Sequence, residues 1–152
     1  MAIPNIYSKQ VADILKERIH KLQANTEAQW GKMTVSQMLA HCNVTYELAF
    51  ENLHKKPNFF TSWILKTFVK KIVTNELPYK KNSRTAPAFL IADEKIFELE
   101  KNRLINYIDK TVELGEDYFE GKESHSFGKL NKTEWNNMFY KHLDHHLTQF
   151  GV

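Results

Sequence analysis

Apolar residues recur along most of this chain at the three-and-four spacing of helices. Val11, Ile14, Leu15, Ile19 and Leu22 predict a first helix over about Ser8 to Leu22, with Ser8 placed to cap it. Thr34-Val-Ser-Gln37 has the form of a capping box, so a second helix is expected from Thr34 to about Leu53. Its inward arc holds Val35, Met38, Leu39, Cys42, Tyr46, Ala49 and Leu53, with His41 at the edge of the arc. Pro57 separates it from a third amphipathic segment, about Phe59 to Thr74, whose apolar face is Phe60, Ile64, Leu65, Phe68 and Ile72. From Leu77 to Ala92 no period is visible, and connections this long are uncommon unless they cover a site or are disordered. Asp93 is expected to cap a long helix reaching Tyr118 or Phe119, with Ile96, Phe97, Leu104, Ile108 and Val112 inward and Gly121 as its stop. After a loop over Glu123 to Lys132, Asn131 or Thr133 opens a last helix. No stretch alternates convincingly enough to predict a sheet. The pattern implies one all-α domain over residues 1–152, a four-helix bundle with a long crossover and room for an extra short helix.

Composition changes this picture little. The apolar fraction of 42% and charged fraction of 26% are ordinary for a globular protein, and 12% aromatics suit a well-filled interior. A net charge of +3 spread along the chain gives no reason to expect a nucleic acid or a membrane as partner. The single cysteine, Cys42, excludes an internal disulfide and fits a reducing compartment. The opening MAIPNIYSKQ lacks the basic and apolar regions of a secretory signal, so a cytoplasmic protein is expected. The most apolar window, Phe59 to Val73, carries Lys66, Lys70 and Lys71 and is too short to span a bilayer.

Candidate chemistry concentrates in the last helix, where three of the seven histidines fall within five positions: His142, His145 and His146. At about 100° per residue, His142 and His146 lie in the middle of the buried face, one turn apart. Lys141, Asp144 and Thr148 point to the opposite side, and His145 stands on a flank beside Met138. Residues at i and i+4 are stacked neighbours, so the inward pair can hold one metal ion. His41 is placed to join it across the core, although a lone helix-edge histidine can equally be a hydrogen-bonded structural residue. Three imidazoles with an open position are the pattern of catalytic zinc, and nickel or iron would also accept them. Such an ion lowers the pKa of bound water or polarises a substrate oxygen.

Sharper motifs fail. Leu143 stands where the zinc-protease pattern needs Glu, and Met38, Phe139 and Leu143 stand where a di-iron bundle needs it. Cys42 points about 100° from His41 on a helix and reads as core packing. Lys80, Lys81 and Arg84 either steer an anionic substrate or form a solvated loop. His20 and His54 read as surface residues.

The stretch Trp30-Gly-Lys-Met-Thr-Val-Ser-Gln-Met-Leu-Ala-His41-Cys42 resembles the second-helix signature of the DinB/YfiT-like superfamily. The ending, from His125-Ser-Phe-Gly-Lys-Leu through Trp135 to Tyr140-Lys-His-Leu-Asp-His-His-Leu-Thr-Gln-Phe150, resembles an uncharacterised bacterial subfamily of it. The resemblance implies an up-down-down-up four-helix bundle, often dimeric, with a metal held by His41, His142 and His146. It further implies metal-dependent hydrolase chemistry, or transferase chemistry with a low-molecular-weight thiol, on a small-molecule substrate. His125 and His145 depart from the simplest pattern and are the candidates for proton transfer. Trp30, Trp135, Tyr140 and Lys80 to Arg84 are the candidates to line the entrance. The competing expectation is a non-enzymatic dimeric helical module with a structural or vestigial metal site.

Overall fold

The computed structural model describes residues 2–152 and is mostly helical, with one small sheet. Six α-helices follow in order: α1 (Lys9–Lys21), α2 (Val35–Phe50), α3 (Phe59–Ile64), α4 (Lys70–Thr74), α5 (Phe97–Phe119) and α6 (Lys132–Gln149). A π turn, Leu65–Val69, joins α3 to α4. A 3-10 turn, Pro87–Phe89, lies in the long connection to α5. Between α5 and α6 the strands β1 (Lys122–Ser124) and β2 (Gly128–Leu130) pair antiparallel, Ser124 opposite Gly128.

The helix starts follow from local chemistry. Thr34 caps α2 in a complete capping box with Gln37, and Asn131 does the same for α6 with Glu134. In each box the cap side chain accepts from the third backbone N–H while the Gln or Glu side chain accepts from the cap, so two otherwise unpaired donors are satisfied.

Both α1 and α2 pack against α5 and α6, and the last two pack on each other. Between them lies a continuous core including Leu15, Ile19, Met38, Leu39, Leu104, Ile108, Phe119, Trp135, Phe139, Leu143 and Leu147. Tyr46 stacks on Phe139 at 4.8 Å and on Tyr107 at 5.5 Å, tying α2 to both later helices. Cys42 is buried among these residues, as expected of a packing residue.

Several expectations need correction. The second helix ends at Phe50, not Leu53, because the chain turns extended at Glu51, whose carboxylate accepts from the Tyr107 hydroxyl. The fifth helix begins at Phe97, not Asp93; Asp93 pairs with Lys95 at 2.7 Å instead, and Ile96 is exposed rather than inward. Gly115, at φ 70° and ψ 171°, breaks the helical path of α5 before it resumes to Phe119. That conformation is essentially reserved for glycine. The stretch expected as a loop contains the hairpin, whose turn is locked by Ser124 Oγ donating to the Gly128 carbonyl at 2.8 Å. Its strands are three residues each, too short for alternation to show.

The largest departure is the segment α3–α4. Phe60 (67% exposed), Phe68 and Ile72, expected inward, face solvent. Conversely Lys141, expected on the outer side of α6, is buried because α4 packs there. Its ammonium donates to the carbonyls of Ile72 and Asn75 and to Asn75 Oδ1, each at 2.8 Å. No helix among the described residues is long and apolar enough to cross a membrane.

Candidate metal centre

His41 lies two turns into α2, and His142 and His146 lie one turn apart on α6. Packing of those two helices brings the three rings into a near-equilateral group, with centroids 4.8, 4.5 and 4.8 Å apart. One ligand nitrogen from each lies within 4.8 Å of the others.

What surrounds the rings sets their state. His41 Nδ1 is 2.8 Å from the Phe89 carbonyl, which only accepts, so the proton of neutral His41 sits on Nδ1. Its Nε2 then presents a lone pair. His146 Nδ1 is 2.7 Å from Gln149 Oε1, while Gln149 Nε2 donates to the Trp30 carbonyl at 2.7 Å, which fixes the amide's orientation. His146 Nε2 is thereby also a free acceptor. His142 Nδ1 meets the Thr45 hydroxyl at 2.9 Å, a group that can give or take a proton.

The Nε2 atoms of His41 and His142 are 2.9 Å apart. Two lone pairs cannot share that distance, so either His142 Nε2 carries a proton or both nitrogens face a cation. Ligand nitrogens on a tetrahedral zinc at about 2.0–2.1 Å stand about 3.4 Å from one another, within a small swing of the rings. The donor set therefore fits a divalent metal: three imidazoles, each oriented by an outer partner at Nδ1.

Electrostatics agree. Burial pushes the His146 pKa down to about 3, with the His41 ring adding to the effect and Gln149 opposing it. Burial, then the other imidazoles, holds His142 well below the usual histidine range. His41 is lowered too, chiefly by burial, against the pull of the Phe89 carbonyl. All three are neutral at pH 7, as metal binding requires.

The long connection covers this group. The Phe89 ring stands 5.2 Å from His41 and 5.5 Å from His142, and Tyr79 stands 6.5 Å from His142. Beside it opens a cavity of about 290 Å³ lined by residues including Trp30, Tyr79, Lys81, Tyr140, Lys141 and His145. His145 borders both cavity and triad, its ring 5.8 Å from Tyr79 and 5.0 Å from His146. Gly31, at φ 84°, leaves room for Gln149, since a Cβ there would stand 2.5 Å from Gln149 Nε2.

Comparison with known proteins is informative at one level. Residues 9–151 match a family described as "Protein of unknown function (DUF1569)". The chain belongs to the DUF1569 family. No curated protein and no solved structure matches it. In this DUF1569 chain the matched span includes the three histidines, the covering loop and the hairpin.

The structure brings His41, His142 and His146 together with His145 alongside, but not His125. That residue sits on the hairpin turn, with Nδ1 2.9 Å from Ser126 Oγ and Nε2 3.1 Å from the His54 carbonyl. Trp135, expected near the entrance, is buried in the core, whereas Trp30, Tyr140 and Lys81 do line the cavity. His54, expected to be a surface residue, is partly buried and hydrogen-bonds to Glu47 at 2.7 Å. Sequence reasoning missed Thr45, Gln149 and the Phe89 carbonyl as ring partners. The first two stand four residues after His41 and three after His146, on the helices that carry those histidines. A backbone carbonyl leaves no residue-type signal.

Proposed function

We propose that His41, His142 and His146 are the ligands of one divalent metal ion, zinc or nickel foremost, and that the protein is a metal-dependent enzyme acting on a small molecule. One observation carries this reading: three neutral imidazoles converge while every Nδ1 is engaged by an outward partner. A divalent ion held by three protein ligands supplies Lewis acidity toward an oxygen or sulfur atom.

The chain's own residues do the rest. Phe89, Thr45 and Gln149 orient the rings, and the side chains of Phe89 and Tyr79 exclude bulk water. Trp30, Tyr79 and Tyr140 give the neighbouring cavity flat walls, and Lys81 gives it a cationic edge suited to a substrate with an anionic group. His145, its pKa lowered chiefly by burial, is neutral at pH 7 and stands where it can accept a proton between cavity and triad. His125 has no part in this arrangement.

One histidine from α2 with an i, i+4 pair from α6, set among four long packed helices, supports a four-helix bundle of the DinB/YfiT-like kind. An up-down-down-up order, a low-molecular-weight thiol as co-substrate and a homodimer belong to the proposal through that resemblance. The cover over the triad favours a second reading, a non-enzymatic helical module with a structural metal.

Elemental analysis of protein purified without an affinity tag tests the ligand set. About one metal per chain is expected. His142→Ala should abolish it and His145→Ala should leave it; unchanged metal in the first variant would overturn the assignment. Exchangeable water on the bound ion favours the enzyme, and a closed shell favours the structural module.

A further inference from the structure

The α3–α4 arm is unlike the other helices, because neither it nor the π turn within it has a fully buried residue. Its apolar side chains instead stand in solvent: Phe59 at 91%, Trp63 at 53% and Phe68 at 60% exposure, with Phe60 and Ile72 also exposed. These are not scattered. Phe60 stacks on Trp63 at 6.3 Å, and Trp63 meets Phe68 edge-on at 6.3 Å. Trp63 and Phe68 are five residues apart, which on a regular α-helix would separate them by about 140°. The π turn over Leu65–Val69 changes the winding there and brings the two rings together. The result is one aromatic patch.

Charge is concentrated in the same part of the chain. Residues 55–84 hold Lys55, Lys56, Lys66, Lys70, Lys71, Lys80, Lys81 and Arg84 against the single acid Glu76, a net +7 where the whole chain carries +3. The rest of the protein is therefore net negative. Lys70 is paired with Glu134 at 3.0 Å, but Lys55, Lys56, Lys66 and Lys71 are exposed beside or within the aromatic arm.

We propose that the α3–α4 arm is a peripheral membrane-binding element that seats its aromatic patch in the interface of an anionic lipid bilayer. Trp and Phe on one side of a short helix with lysines around them match the apolar boundary and the negative headgroups together. A two-fold contact between copies matches less well, since it would set this basic arm against itself. A groove tracking a nucleic acid strand is not what a protruding helix offers. The even spread of charge expected from the whole-chain value is overturned by this count over residues 55–84. This inference is independent of the metal centre.

The test is flotation of the full chain with vesicles of phosphatidylcholine alone or mixed with phosphatidylserine, at low and high salt. Binding is expected to the serine-containing vesicles, weakening as salt rises, with a blue shift of tryptophan emission from Trp63. The variant Phe60→Ser/Trp63→Ser/Phe68→Ser should bind about ten-fold more weakly or not at all. Lys66→Glu/Lys71→Glu should lose the preference for phosphatidylserine. All five side chains are exposed or outside the core, and far-ultraviolet circular dichroism of each variant checks that the fold is kept. Absence of vesicle binding at low salt, or binding that the aromatic variant leaves unchanged, overturns the proposal. So does a dimer in light scattering that the aromatic variant dissociates while vesicles fail to bind.

Discussion

Thr45 governs what His142 can do, because a hydroxyl serves the proton on Nδ1 from either side. With His142 protonated at Nε2 toward His41, Thr45 donates to Nδ1; with His142 Nε2 directed at a cation, Thr45 accepts from Nδ1–H. Thr45→Val, which keeps the shape and removes the hydroxyl, should weaken metal affinity about 10- to 100-fold, and Thr45→Ser should retain most of it. Competition with a chromogenic chelator measures both. The protonation of the triad has a second consequence. Their pKa values are depressed in the fold, so below the ordinary value of 6.5 the unfolded chain binds protons that the folded rings refuse. Stability of the metal-free protein is therefore full above about pH 6.5 and falls as pH drops toward about 3, where His146 titrates. Urea midpoints across that window should decline in the native chain, and His146→Gln should flatten the slope. The inward His142/His146 pair was legible in the sequence because helical periodicity turns spacing into direction, and the structure sets His41 beside it. Their outer partners were not, since a threonine and a glutamine on a helix have many commoner uses.

At the scale of elements, α4 is held by its end. Lys141 Nζ and Asn137 Nδ2, both from α6, reach the last carbonyls of the segment: Ile72, Thr74 and Asn75. These groups have no partner within the helix, so side chains from a neighbour act as its cap. Lys141→Ala should destabilise the protein by about 2 kcal/mol, because it removes three part-buried hydrogen bonds from a charged donor. Denaturant unfolding monitored by circular dichroism reads this directly. The same contact explains why the arm's orientation escaped the sequence. An apolar stripe announces that a helix has two sides, not that the polar side is the one the protein covers. The capping box at Thr34, by contrast, was readable because every participant lies within four residues, and Asn131, which forms the second box, was one of two expected starts for α6.

For the whole molecule, the triad joins α2 to α6 across the interior while Phe89 ties the long connection to it. A metal ion bound there contacts only the folded chain's assembled site, so binding is linked to global stability. At a free concentration about 100 times its Kd, an ion adds about 2.7 kcal/mol, which for a chain of this size raises Tm by roughly 5–10 °C. Scanning calorimetry with and without zinc should show the rise, and His142→Ala should remove it. The helical class was foreseeable from local pattern, and the meeting of α2 with α6 was one arrangement that a bundle of such helices allowed. The hairpin, the break at Gly115 and the outward arm were not, because each depends on very short segments or on neighbours distant in sequence.

His41 Nδ1–H donates to the main-chain oxygen of Phe89, so every amino acid at position 89 supplies the same acceptor. As far as this contact goes, a substitution at position 89 is filtered by packing alone, whereas an inserted or deleted residue nearby shifts the carbonyl off the ring. Length, rather than identity, is the trait on which selection for this contact would act.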